Sequence, residues 1–132
     1  MPAPPSRRPA RSRVRVLVAG LVVLALGLLS TRLLDGVAGD VVGGGLYALL
    51  VYLAIAFGLP RISAIADAIT TFVVCALIEL WQLTGMPAQL AEAFPPAALL
   101  FGTTFTLADL PPYAVGALAG VAIDRLLRRI RR

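Results

Sequence analysis

Residues 64–83 read AIADAITTFVVCALIELWQL, an apolar run of membrane-crossing length with Glu79 inside it, more than one helical turn from the end of the predicted helix. Placing a carboxylate at a bilayer centre costs about 2.5–3.5 kcal/mol of free energy, and less toward either surface. We therefore expect Glu79 to have a bonding partner or a functional role. The composition favours a membrane protein, because 59% of the residues are hydrophobic and 14% are charged. So few charged side chains would not cover the surface of a soluble domain.

Four stretches are long and apolar enough to cross a bilayer, for which about 20 residues are needed. They cover residues 14–34, 41–59, 62–83 and 109–127. A turn of two or three residues at Pro60 makes the second and third an antiparallel hairpin. Pro111 and Pro112 fall in the first turn of the last helix, where a missing amide is harmless. The predicted fold class is an all-α, four-helix transmembrane bundle.

The arginines predict the orientation of the bundle. Eleven of the twelve basic residues lie before or at the start of the first span, in the short turn, or at or after the end of the last span, and Arg32 alone lies at the opposite end. Both termini are therefore expected in the cytoplasm. Residues 1–13, rich in arginine and proline, are expected to be a disordered tail, residues 14–127 the membrane domain, and residues 128–132 a second basic tail.

The net charge of +5 is explained by these tails, which can also attract anionic lipid headgroups. A nucleic-acid partner is not expected, because the tails carry no aromatic side chains that could stack on bases. With no histidine and with Cys75 as the one cysteine, neither a disulfide, a metal site nor a bound cofactor is predicted.

The connection before the last span is punctuated by glycine and proline: Gly85, Pro87, Pro95, Pro96 and Gly102. Lipid-exposed irregular backbone is not tolerated in the hydrocarbon core. We therefore expect residues 84–108 to form a short interfacial or re-entrant segment on the outer side of the membrane.

Helical spacing places the polar residues of the last two spans on single faces. Asp67, Thr71, Cys75 and Glu79 follow one another at four-residue steps, and Gln82 lies three residues further on. The last span carries a similar stripe of Asp109, Tyr113, Gly116, Gly120 and Asp124. Its two glycines predict close helix packing, either within the chain or in a homo-oligomer.

The orientation brings some of these residues together at the outer end of the bundle. We expect a polar pocket there, with Arg32 as the counter-charge to one carboxylate; its members are Arg32, Glu79, Gln82, Asp109 and Tyr113. The alternative is that helix ends are simply where polar residues belong.

Asp67 and Asp124 belong instead to the cytoplasmic end. There Arg61 and Arg125 are within reach in the sequence and are the expected ion-pair partners.

Several motifs resemble those of a family of small bacterial integral membrane proteins of unknown function. The main ones are Glu79-Leu-Trp-Gln82 and Asp109-Leu-x-x-Tyr113-x-x-Gly116-x-x-x-Gly120, with Ser30-Thr-Arg32 and Leu46-Tyr-Ala-Leu49 as further matches. Some members of that family carry a ribosomal-maturation label. The Glu-x-x-Gln motif and the Asp before a glycine-containing last helix are also distantly similar to VanZ-like proteins, which implies a role in the cell envelope. The resemblance places the chain in the bacterial inner membrane.

Three classes of function remain. The favoured class is a non-enzymatic envelope protein whose outer pocket binds a membrane lipid or a lipid-linked headgroup. An intramembrane enzyme could use Glu79 and Asp109 as paired acid and base, although the sequence shows neither a nucleophile with its base nor a cluster of metal ligands. The third class is a small transporter, which would need to oligomerise to enclose a path.

Overall fold

The structure, a computed structural model, describes residue 1 and residues 4–130, and this part of the chain is helical and has no strand. The elements are α1 (Arg13–Leu33), α2 (Gly36–Gly58), α3 (Ala64–Gln82), α4 (Met86–Ala93), α5 (Ala97–Phe101), a 3₁₀ turn (Leu107–Asp109) and α6 (Leu110–Arg129). Within the described residues, four stretches are long and apolar enough to cross a membrane: α1, α2, α3 and Leu107–Arg129. The prediction of an all-α chain with four candidate membrane helices is confirmed.

Serine N-caps begin two of the long helices. The Ser12 hydroxyl accepts a hydrogen bond from the Arg15 N–H at the start of α1, and the Ser63 hydroxyl accepts one from the Ala66 N–H at the start of α3. Such caps satisfy amides that have no partner inside the helix.

The connection between α1 and α2 is shorter than predicted. Only Leu34 and Asp35 separate the two helices, and Gly36 at the start of α2 has a left-handed φ of 62°. Glycine adopts this conformation without steric cost. Asp40, which directly precedes the predicted second span of residues 41–59, therefore lies inside α2, beyond its first turn.

Helix α2 is the central element, because it packs against α1, α6 and α3, and α6 packs in turn against α3. A cluster of buried apolar side chains joins the first, second and last helices: Val16, Val23, Leu49, Tyr52, Leu53, Ala56 and Val121. Large apolar side chains on the outward faces are exposed, among them Leu21, Ile69, Val73 and Leu118. Such a surface suits lipid and not water.

Gly116 and Gly120 bring α6 close to α2. A Cβ at Gly116 would overlap the carbonyl oxygen of Gly45, and a Cβ at Gly120 would lie 2.5 Å from Cγ of Tyr52. The structure thus uses this glycine face for packing within the chain. A homo-oligomer through the same two glycines would first require α2 to move away.

We expect Gly116→Val to destabilise the bundle by about 1–3 kcal/mol, because the new side chain would press on α2 backbone that cannot rotate away. Gly20→Val is the matched control, since a Cβ at Gly20 meets nothing within 4 Å. Unfolding in mixed detergent micelles, followed by circular dichroism, measures both. Equal stability of the two variants would show that the contact between α6 and α2 is not as close as described.

The chain before α1 is anchored at one end of the bundle. The Arg11 N–H donates to the carbonyl oxygen of Pro60 at 2.9 Å, in the turn between α2 and α3. Arg11, which belongs to the segment predicted to be disordered, is thus bonded to the turn between α2 and α3. Residues 2 and 3 of that tail, and residues 131 and 132 of the second basic tail, lie outside the described residues.

The Arg11 side chain forms a charged cluster inside this end, which we call the Arg11 cluster: Arg11, Tyr52, Asp67 and Asp124. The guanidinium donates to both oxygens of Asp124 at 2.7 and 3.0 Å and to the Tyr52 hydroxyl at 3.3 Å. It also lies 3.3 Å from a carboxylate oxygen of Asp67, whose side chain is 0% exposed.

The ion-pair partners predicted for the two aspartates, Arg61 and Arg125, are wrong. Asp67 pairs with Arg11, whereas Asp124 pairs with Arg11 and with Arg128, whose Nη2 lies 3.1 Å from Oδ2. Burial acts to lower the pKa of Arg11, but the hydrogen bond and charge of Asp124 outweigh it, and the pKa is raised above its ordinary value.

Candidate functional site

Glu79 lies in the last turn of α3, at the opposite end of the bundle from Arg11, and is 1% exposed. The Tyr113 hydroxyl donates to its Oε1 at 2.5 Å, and the Thr106 N–H donates to its Oε2 at 3.1 Å. Both carboxylate oxygens are thus hydrogen-bonded, which offsets much of the cost of burying the charge. Glu79 therefore ties α3 to α6 and to the connection that precedes α6.

That connection covers the Glu79 end, and we call residues 97–106 the overlying segment. Gln82 Nε2 donates to the Phe101 carbonyl oxygen and the Tyr47 hydroxyl donates to the Leu100 carbonyl oxygen, each at 2.5 Å. The rings of Trp81 and Phe101 pack edge to face with centroids 5.3 Å apart. Side chains of α2 and α3 therefore hold the segment through its backbone.

A cavity of about 360 Å³ lies beneath the overlying segment. Its volume falls within the range of small-molecule sites, about 300–1,000 Å³. Three carboxylates line it, from three different helices or their ends: Asp40, Glu79 and Asp109. Glu79 is buried, whereas Asp109 is partly exposed and Asp40 is exposed, so the three carboxylates lie at different depths around the cavity.

A family model described as "Protein of unknown function (DUF2809)" matches residues 33–117, which is more than half of the chain. The chain belongs to the DUF2809 family. The predicted resemblance to a family of unknown function is thereby confirmed. No curated protein and no solved structure matches this DUF2809 chain.

The matched residues contain the whole lining of the cavity apart from Thr31, and hence its three carboxylates. The match leaves out Arg11, most of α1 and Asp124. The DUF2809 match thus covers the Glu79 end of the bundle, together with α2 and α3, and does not reach the cation of the Arg11 cluster.

Four of the five predicted pocket residues line the cavity of the DUF2809 protein: Glu79, Gln82, Asp109 and Tyr113. Arg32 does not line it and its side chain is exposed, so the structure does not place Arg32 as the counter-charge of a carboxylate there.

Side chains of α2 also line the cavity, although the sequence did not predict them there. Asp40, Gly44 and Tyr47 all line it, and they follow one another at steps of four and three residues, which puts them on one helical face. The same spacing argument that was applied to α3 and α6 could have found this third stripe in the DUF2809 chain.

The charged side chains of the lining are all carboxylates, which supply negative charge and hydrogen-bond acceptors. Gln82 adds a further acceptor, because its Oε1 is buried and has no hydrogen-bond partner among the described residues. In the same part of the chain, no group of three or more His, Cys, Asp or Glu side chains is arranged to hold a metal ion. The cavity of this DUF2809 protein is thus suited to a cationic group that donates hydrogen bonds.

Proposed function

We propose that the protein is a multi-pass protein of the bacterial cell membrane that binds the headgroup of a membrane lipid in the cavity at its Glu79 end. The observation that carries the proposal is the position of three carboxylates around one cavity at the ends of apolar helices. The apolar surface of those helices borders lipid chains, and a cavity at their ends lies at the depth of the headgroups.

The arginine distribution supports an outward-facing site. With both termini in the cytoplasm, the Arg11 end lies inside and the Glu79 end outside. The proposed location in the bacterial inner membrane, and an envelope role, rest on the resemblance of the Glu79 and Asp109 motifs to bacterial and VanZ-like proteins. We place α4 and the overlying segment, which contains α5, at the outer interface, as the short helices and the prolines at positions 87, 95 and 96 favour.

Acid–base catalysis is the second candidate, and the proximity of Asp109 to Glu79 favours it. Two neighbouring carboxyls can share roles as acid and base. However, Tyr113 and Thr106 already occupy both oxygens of Glu79. Glu79 is therefore better placed to hold the site together than to exchange protons with a substrate, and binding is the function we propose first.

The first test measures the lipid that remains on the protein after purification in a mild detergent. We expect the wild-type protein to retain lipid and the double variant Asp40→Asn/Asp109→Asn to retain about tenfold less, because each neutralised carboxylate removes a charge-assisted contact. Native mass spectrometry gives the bound fraction and the mass of the ligand.

Glu92→Gln is the matched control. Glu92 is an exposed carboxylate of α4 on the same side of the molecule and does not line the cavity. Lipid retention that is equal in the wild-type, control and double-variant proteins, with all three equally stable, would refute lipid binding in this cavity.

A further inference from the structure

We infer that the ligand is a single lipid with a primary amine in its headgroup, bound with the amine in the cavity and one acyl chain in a groove between α1 and α2. This inference rests on the proposed function and specifies its ligand. Three observations carry it: the acceptors that line the cavity, an unpartnered buried amide oxygen, and an apolar groove that shares lining residues with the cavity.

A primary ammonium carries one positive charge and three hydrogen-bond donors. The carboxylates of Asp40 and Asp109 supply the opposite charge at the more open side of the cavity. Gln82 Oε1, buried and without a partner among the described residues, supplies an acceptor at the closed side. A quaternary ammonium would match the charge but would leave that oxygen unpaired, and such an unpaired polar atom is unfavourable.

The groove lies beside the cavity and has a volume of about 420 Å³. Leu24 and Leu28 of α1, Leu46 and Leu50 of α2, and Leu100 of the overlying segment give it an apolar lining. The cavity and the groove share four lining residues, which are Thr31, Gly43, Tyr47 and Leu99. One molecule with a polar end and an apolar chain can therefore occupy both spaces.

The two parts of the site have different roles. An acyl chain gains little by leaving other lipid chains for an apolar groove, because both surroundings are equally apolar. The groove therefore orients the lipid, and the carboxylates select it. Arg32 follows Thr31 at the same end of α1 and is exposed, so it can pair with the phosphate of a zwitterionic headgroup.

The test of the headgroup compares lipids that share identical acyl chains. Phosphatidylethanolamine, phosphatidylcholine and phosphatidylglycerol are titrated separately into delipidated protein in detergent, and native mass spectrometry gives each dissociation constant. We expect phosphatidylethanolamine to bind about tenfold more tightly than the other two. Asp109→Asn should remove most of this preference, whereas Glu92→Gln should preserve it.

The test of the groove uses two glycines of α1. A Cβ at Gly27 or at Gly20 meets nothing within 4 Å, so a side chain fits at both positions without a clash. Gly27 lines the groove, whereas Gly20 lines an adjoining apolar depression nearer the other end of α1, which shares Leu24 and Leu50 with the groove. We expect Gly27→Leu to weaken phosphatidylethanolamine binding by about tenfold, and both Gly27→Ala and Gly20→Leu to weaken it less.

The outcomes separate this inference from the proposed function. If all three lipids bind equally and Asp109→Asn weakens each of them, the headgroup site stands and the primary amine is wrong. If Gly27→Leu and Gly20→Leu behave alike, the acyl chain does not lie in the groove. Binding of glycerophosphoethanolamine as tight as that of the intact lipid would also exclude the groove. If no lipid responds to Asp40→Asn or Asp109→Asn, the proposed function itself fails.

Discussion

Arg11→Ala should lower the free energy of unfolding by about 3–5 kcal/mol, the cost of removing one partner from a buried ion pair. The substitution would leave the buried carboxylate of Asp67 without its cation and would remove two hydrogen bonds from Asp124. Asp124 would keep Arg128, but that side chain is partly exposed and contributes less. The destabilisation should therefore arise chiefly at Asp67.

The measurement is unfolding in mixed detergent micelles, followed by circular dichroism, with Arg8→Ala as the matched control. Arg8 is an exposed arginine of the same segment, and its removal should change stability by less than about 0.5 kcal/mol. Adding Asp67→Asn to Arg11→Ala should restore part of the loss, because it neutralises the carboxylate left unpaired. If Arg11→Ala is as stable as Arg8→Ala, the Arg11 cluster does not stabilise the bundle.

Glu79→Ala should have an effect of similar size, about 3 kcal/mol or more, and should also loosen the overlying segment. The change removes two hydrogen bonds to a charged acceptor and leaves the Tyr113 hydroxyl and the Thr106 N–H without their partner. Glu79→Gln keeps the side-chain length and one acceptor oxygen. It should therefore lie between the alanine variant and the wild-type protein.

The single tryptophan provides a local measurement for this prediction. Trp81 contacts Phe101 of the overlying segment, so its fluorescence should shift in Glu79→Ala at detergent concentrations where the helices are still folded. Glu92→Ala, at an exposed position of α4, should leave both the fluorescence and the stability unchanged. An unshifted spectrum in Glu79→Ala would mean that Glu79 does not hold the segment in place.

The four long helices could be predicted from the sequence because the signal is local. An apolar run of about 20 residues has few alternatives to a membrane helix, whatever its neighbours do. The early start of α2 was missed because the apolar run begins only after Asp40, while the turn depends on the Asp35-Gly36 pair, which is a recognised turn signal. Hydropathy alone does not register such a turn.

The candidate site could be predicted in part. Helical spacing puts Glu79 and Gln82 on one face of the third span, and Asp109 and Tyr113 on one face of the last span. The sequence therefore predicted these four residues as neighbours. Arg32 was placed there on depth alone, and depth does not determine the direction in which a side chain points from its helix. In the structure, Arg32 is exposed and does not line the cavity.

The Arg11 cluster could not be predicted, because its contacts are long-range and its cation lies in a segment of disorder-prone composition. Nothing near Arg11 distinguishes it from its arginine neighbours Arg7, Arg8 and Arg13. Arg11 can form its ion pairs only where Asp67 and Asp124 lie together at the same end of the bundle. That arrangement exists only after α3 and α6 have packed against α2.

The hydrogen bond between Arg11 and Asp124 spans 113 residues and so encloses almost the whole membrane domain in one loop. During synthesis Arg11 emerges early, and Asp124 follows only with the last helix, so this contact forms late. A chain interrupted before α6 would hold Arg11, Tyr52 and Asp67 but would lack Asp124. Such a chain would lack the two charge-assisted hydrogen bonds from Arg11 to Asp124, so the Arg11 cluster is complete only when the last helix has packed.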